Sequence, residues 1–371
     1  MKKIIFSFTL CCMVLLTLSA FKKDSSPFTE NFITEDTKIA SINALTFGPE
    51  GILFIGDSKN AAIYALDTKD SKANDKAPEI MINDFDNKIA ASIGTTKDNI
   101  KITDMAVNPV SKSVYFSVNV TDGTPVLLKL NGEKFENISL NSVSYSKVEL
   151  TNPVGVDDED HRGRPLRNWA IADMMYHKGK VMVSGLSNKE FKSTFRSIDF
   201  PFNDNEEFAS LEIWHAAHGR FESYAPIKAF NVINIENEDY LIASYTCTPL
   251  VLFPLKDLKG NKHIKGRTVA ELGGGNSPLD MIVFEKNGKQ KFFMSNSNRP
   301  VMRIDYDDIA NFKNSLTEEV KEFAATDGVT YDNLPFVNVL QMDNLDNENV
   351  LFLIRDREGD LVLRNRTKQW M

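Results

Sequence analysis

Cysteine is scarce: the 371 residues hold three, and Cys11 and Cys12 both fall within the first twenty. Beyond them only Cys247 remains, so no intramolecular disulfide forms in a chain trimmed of that segment. Stability must then come from core burial, even though an exported compartment permits disulfides. Several motifs are missing as well. There is no CxxCH, GxSxG, HExxH or EF-hand loop, and no GxGxxG or P-loop frame. These absences leave c-type haem, classical serine hydrolases, zincins and nucleotide cofactors without a sequence basis. Basic charge is in deficit too, with 43 Lys and Arg against 51 Asp and Glu. No Lys/Arg-rich stripe offsets it, which argues against nucleic acid as a partner.

Only one apolar run is long, and it stands at the start. Lys2 and Lys3 precede the stretch Ile4 to Leu18, and Leu18-Ser19-Ala20 makes a small-residue exit before FKKDSS. This is the pattern of a secretory signal peptide over residues 1–20. The run is shorter than the ~20 residues of a comfortable membrane span. A lipoprotein anchor on Cys11 or Cys12 is disfavoured, because Leu10 rather than a small residue precedes Cys11. Removing residues 1–20 takes away two lysines and no acids, leaving 41 basic and 51 acidic side chains, a formal charge of −10. The expectation is an exported protein, periplasmic or secreted, with no integral membrane segment in its mature chain.

What the sequence has in abundance is repetition. Six apolar strands recur: GILFIGDS at 51–58, SVYFSVNV at 113–120, KVMVSGLS at 180–187, YLIASYTC at 240–247, KFFMSNSN at 291–298 and NVLFLIRD at 349–356. Each follows a polar turn and a shorter apolar strand. Phe, Tyr, Val and Ile dominate the runs, while Gly, Asn, Asp and Pro punctuate them. Helical periodicity is confined to short stretches around 86–93 and 315–324. Repeated antiparallel units of about 60 residues predict an all-β fold: a single β-propeller of six blades spanning 21–371. The segment 28–36 is expected to supply the outer strand of the last blade, closing the ring with N- and C-terminal strands.

One unit carries a resemblance. INALTFGPEGILFIGDSKNAAIYALD, residues 42–67, resembles an NHL repeat, and FFMSNSNRPVMRID at 292–305 is a degenerate second copy. The resemblance implies the broad six-bladed group that includes NHL domains, TolB-like domains and the SMP-30/gluconolactonase enzymes. In the last of these a divalent cation sits at the channel mouth, held by carboxylate and amide side chains. Ala44 stands where that group carries an early glutamate. Fold alone does not fix function.

Several residues gather at the predicted channel face. Three inner strands begin alike, with Asp104-Met105, Asp173-Met174 and Asp280-Met281, while the fourth and sixth units lack the acid. Two readings stand. Converging carboxylates suit a hard cation such as Ca²⁺, with Asp104, Asp173 and Asp280 as ligands. Alternatively each aspartate accepts hydrogen bonds and staples one blade to the next. Asp57, Asn119, Asn296, Asn298 and Cys247, at second-strand ends, join them as binding candidates. His215, His218 and Glu222 lie in EIWHAAHGRFE, read as a third strand that turns on the opposite face. Residues 149–168 and 188–209 are insertions expected to rise over the channel, the second rich in phenylalanine. GGGNSP at 273–278 enters the same face as a connector. The function this supports is binding of a small molecule, glycan or protein partner on the channel face; the alternative is a metal-dependent hydrolase or lyase.

Overall fold

The computed structural model describes residues 26–371, so the expected signal peptide lies outside the described residues. The described residues form six sheets arranged as the blades of a propeller, antiparallel throughout except where Lys262–Lys265 adds a parallel strand beside Glu206–His215. Blades are numbered here in chain order by their innermost strands: Ala44–Phe47, Ile100–Val107, Asp173–His177, Ala229–Ile235, Pro278–Lys286 and Val339–Asn344. The second strands are Ile52–Asp57, Val114–Val120, Lys180–Leu186, Glu238–Ser244, Lys289–Asn296 and Asn349–Arg355.

The apolar runs are nearly continuous because both faces of each blade are covered. In blade 1, Ile52 and Phe54 face one neighbour while Leu53 and Ile55 face the other, the two-residue period of a strand. The buried apolar side chains fall into six clusters, one in each gap between adjacent blades. At ~25 cal/mol per Å² of apolar surface, these gaps supply the driving force that disulfides do not.

Blade order around the ring differs from chain order. Inner strands neighbour one another in the sequence 1-2-6-5-4-3 and back to 1. The cause is a return strand. After blade 2, Val143–Glu149 comes back to pair with Ala62–Asp67 of blade 1, and the chain then enters blade 3 on blade 1's other flank.

Ring closure also departs from expectation. The outer strand of blade 6 is Met81–Ile82, paired with Leu363 and Arg364, not the segment 28–36. Ile33–Glu35 instead pairs with Val143–Tyr145 as an exposed fifth strand of blade 1. A helix forms at Phe85–Ser92, near the expected place, but the second is at Tyr306–Asn311 and 315–324 is irregular. Half of the insertion 188–209 is sheet: Ser193–Asp199 is the third strand of blade 3, and Glu206–His215 is its fourth. Its phenylalanines are packing residues. Phe200 and Phe202 meet Phe54, and Phe195 meets Phe230. Among the described residues no helix is long and apolar enough to cross a membrane.

Candidate functional site

Inner strands start, and second and fourth strands end, on the same face of a propeller. That face holds a cavity of about 1560 Å³ at the mouth of the channel. Lys101, Thr103, Ala172, Lys228, Leu279 and Gln341 line it from the inner strands and the segments leading into them, with Asn119 and Cys247 from second-strand ends. The insertion 149–168 does rise over this face, contributing Arg162, Arg164 and, just beyond, Trp169.

The aspartates lie one residue below Thr103, Ala172 and Leu279, and their oxygens are engaged. Asp104 accepts the N–H of its neighbour Met105 at 2.8 Å and of Leu45 in blade 1 at 2.6 Å. Asp173 accepts from Met174 and, in blade 4, Phe230. Asp280 accepts from Met281 and, in blade 6, Met342. This is the geometry of blade-to-blade staples. Blade 6 also carries an acid, contrary to the sequence reading: Asp343 accepts from Asn344 and from Val107 in blade 2. It was hidden because it stands two residues further along: blades 2, 5 and 6 share a register shift near the strand start, followed at once by Asp104, Asp280 and, in blade 6, Gln341. Blade 4 has Asn231 in the same role toward its own neighbour, Val232.

Burial pushes these acids up: Asp104 to about 8, Asp173 to about 7 and Asp343 to about 6, with Asp280 raised well above the usual 3.8. Mutual repulsion adds to the rise at Asp104 and Asp280, while the backbone N–H donors oppose it.

The other predicted residues divide. Asp57 is fully buried, where it accepts from Ala40, Ser41 and Asn60 and clamps a turn rather than facing the cavity. Asn296 is buried and Asn298 exposed. Both tie down the 273–277 loop, Asn296 through Asn276 and Asn298 through Asn276 and Gly275. Asn119 lines the cavity, and its buried Oδ1 has no hydrogen-bond partner; the same is true of Gln341 Oε1.

Cationic groups crowd the mouth. Lys101, Arg162, Lys228 and Arg355 line it without a carboxylate partner among the described residues. Lys228 Nζ sits 3.5 Å from the Trp169 ring centroid. Burial, with repulsion from Lys101, lowers the Lys228 pKa to about 8, while Asp173 opposes the fall.

The histidine turn is where sequence reasoning went furthest astray. His215 ends a fourth strand, not a third, and that change of parity carries it to the channel face beside Cys247. Ligand atoms of His215, His218 and Cys247 lie within 4.8 Å of one another. Glu222 bridges the pair, with Oε2 2.8 Å from His215 Nδ1 and Oε1 2.9 Å from His218 Nδ1. Burial raises the Glu222 pKa, but hydrogen bonds from His215, Arg220 and His218 outweigh it and hold the carboxyl well below its ordinary range. Glu271, fully buried, accepts from the Ala217 N–H at 3.1 Å, and burial pushes it up to about 7. The other such grouping among the described residues, Asp84, Asp86 and Asp360, is wholly acidic and engaged by Lys97 and the Leu361 N–H.

No protein-family model matches the chain, and no curated protein does either. Solved structures with a similar course include a Thermus thermophilus protein named as a glucose dehydrogenase-type oxidoreductase. It is 11% identical, covers 90% of this chain and 100% of that one, and has a TM-score of 0.33. A chain of the complex of Drosophila Plexin A with Semaphorin 1b is 10% identical over 90% of this chain and 88% of that one, with a TM-score of 0.38. Likeness at this level carries no argument about activity. The class is set by the sheets themselves: a six-bladed β-propeller with a cavity at one end of its channel.

Proposed function

We propose that the protein is an exported binding propeller whose channel face takes an anionic, hydroxyl-bearing ligand, such as a sugar acid or acidic oligosaccharide. The observation that carries this is the contrast between cavity and chain. On an acidic protein, six Lys and Arg side chains line one cavity against four carboxylates, Asp86, Asp98, Asp160 and Glu222, and Lys101, Arg162, Lys228 and Arg355 have no carboxylate partner among the described residues. Lys101 and Lys228 would meet the ligand's charge. Asn119 and Gln341 line the same cavity, and their amide oxygens are buried without donors; turned outward, these would take its hydroxyl protons, since such groups are costly to leave unmatched. The cavity exceeds the ~300–1,000 Å³ of ordinary small-molecule pockets, which suits an oligomer. Export rests on the leader-like residues 1–20.

A hydrolase or lyase of the gluconolactonase kind would draw its cation ligands from Asp104, Asp173, Asp280 and Asn298. Their engagement with backbone groups favours the binding reading instead.

The test is calorimetric titration of residues 21–371 with uronic-acid oligosaccharides and their carboxyl-reduced counterparts. Saturable binding of the acidic series alone, abolished in Lys101→Ala/Lys228→Ala, is the expected result. Equal binding of the neutral series, or an unaffected double variant, would overturn the proposal.

A further inference from the structure

Two buried polar atoms near Cys247 lack partners. His215 Nε2 has none, and neither has Glu271 Oε1, although the two side chains are 4% and 0% exposed. A satisfied structural network would not leave them so. Glu271 Oε2 lies 3.9 Å from His215 Nε2, beyond hydrogen-bond distance.

The surrounding bonds prepare both imidazoles. A carboxylate only accepts, so Glu222 takes an Nδ1–H from each ring; in the neutral imidazole with that tautomer the lone pair is on Nε2. A carboxylate holding the far nitrogen is the usual outer partner of a metal-ligating histidine. Arg220 Nε, 2.8 Å from Glu222 Oε1, holds that carboxylate in turn. Cys247 and Thr248 both adopt left-handed backbone conformations, at φ 67° and 58°. Non-glycine residues rarely do so, and such strain clusters at sites where a side chain must be aimed. Cys247 is held there by its own N–H, donated to Asn276 O at 2.8 Å.

We propose that His215, His218, Cys247 and Glu271 form a site for one zinc ion, with both Nε2 atoms, the thiolate and a Glu271 oxygen as the four ligands. The donor set of nitrogen, sulfur and carboxylate oxygen is zinc's. Tetrahedral ligands at roughly 2.0–2.3 Å from the metal stand about 3.3–3.8 Å apart. His215, His218 and Cys247 place ligand atoms within 4.8 Å of one another, and Glu271 stands outside that grouping with Oε2 3.9 Å from His215 Nε2. Metal binding therefore draws the ligands in by about 1 Å, with His218, 40% exposed, pivoting on its Glu222 bond. The ion would satisfy both orphaned atoms at once. It would also pin the 215–222 turn of blade 3 to blade 4. The proposal is independent of the acidic-ligand reading.

The experiment is zinc titration of metal-stripped residues 21–371 against a chromophoric chelator, with cobalt substitution read by its absorption spectrum. One equivalent should bind, and the cobalt form should show a thiolate charge-transfer band with tetrahedral d–d bands. His218→Ala, at an exposed position where truncation leaves the core intact, and Cys247→Ser should each weaken binding. The loss should at least match the ~10–100-fold that removing an outer partner costs. Glu222→Gln should weaken it within that range. No zinc uptake by the folded wild type, or uptake unchanged in both His218→Ala and Cys247→Ser, would overturn the proposal.

Discussion

Asp280 Oδ2 accepts the backbone N–H of Met342 at 2.9 Å, so a side chain of blade 5 supplies an acceptor to the inner strand of blade 6. The same device recurs round the ring. Blade 6 reaches blade 2 through Asp343, blade 2 reaches blade 1 through Asp104, and blade 3 reaches blade 4 through Asp173. At the junction of blades 1 and 3, Ser58 takes over, donating to Ile171 O and accepting the Ile171 N–H.

These staples make stability depend on pH with a definite sign. Their folded pKa values lie above the usual 3.8, so between about pH 4 and pH 8 the folded state holds protons that the unfolded chain has released. The contribution is complete below about pH 4 and is lost as pH rises through the folded values. The melting temperature should therefore be higher at pH 5 than at pH 8. Asp104→Asn/Asp280→Asn should flatten that difference, because neither site then titrates. Differential scanning fluorimetry across pH 4.5–8.5 measures it; a rise in stability toward pH 8 would contradict the assignment.

Truncating a staple should cost stability without touching a metal. Asp173→Ala leaves the N–H groups of Met174 and Phe230 without their acceptor. Each orphaned donor costs about 1–3 kcal/mol, toward the lower figure where channel water reaches it. Urea unfolding should show that loss, and added calcium should shift neither wild type nor variant. A calcium-dependent midpoint in the wild type alone would restore the cation reading of the aspartates.

Much of this was legible in the sequence. The Phe, Val and Ile runs announced six second strands because both faces of each are buried. The Asp-Met pairs marked the acids of blades 2, 3 and 5 but left open whether they ligate a cation or staple blades. The swapped blade order was not legible, since Val143–Glu149 reads as any strand and only its pairing with Ala62–Asp67 reveals the return. Asp343 was hidden because it stands two residues beyond the place that Asp104 and Asp280 take after the same bulge, and Met81–Ile82 was too short to register. The His–Cys cluster was missed through parity. Counting one strand too few in blade 3 sent His215 to the wrong end of the channel.

Two glycines of the junction between blades 1 and 3 should differ in tolerance. A Cβ on Gly56 would lie 2.8 Å from Ile171 Cγ2 and 3.2 Å from Met174 Sδ, buried side-chain atoms that must shift to admit it. A Cβ on Gly185 would overlap the carbonyl oxygen of Ala170, which is backbone. Overpacking costs about 1–3 kcal/mol, so Gly185→Ala should sit at the upper end and Gly56→Ala at the lower. Chemical denaturation of the two variants decides the order.

The buried pair of Arg196 and Glu206 offers a sharper test of what holds blade 3. Arg196 is 1% exposed, packs over the Phe208 ring at 4.7 Å and pairs with Glu206, itself nearly buried. Glu206 Oε2 also accepts the Thr151 N–H at 2.9 Å, fastening the crossover from blade 1. Removing one partner strands the other charge in a low-dielectric site, at a cost of about 3–5 kcal/mol. Glu206→Leu should therefore be strongly destabilising. Arg196→Met/Glu206→Leu removes both charges and fills similar volume, and so should recover most of that loss. The Thr151 N–H belongs to an exposed residue, so water replaces its lost acceptor cheaply. A double variant no more stable than Glu206→Leu would mean that Arg196 acts through its packing on Phe208 rather than through its charge.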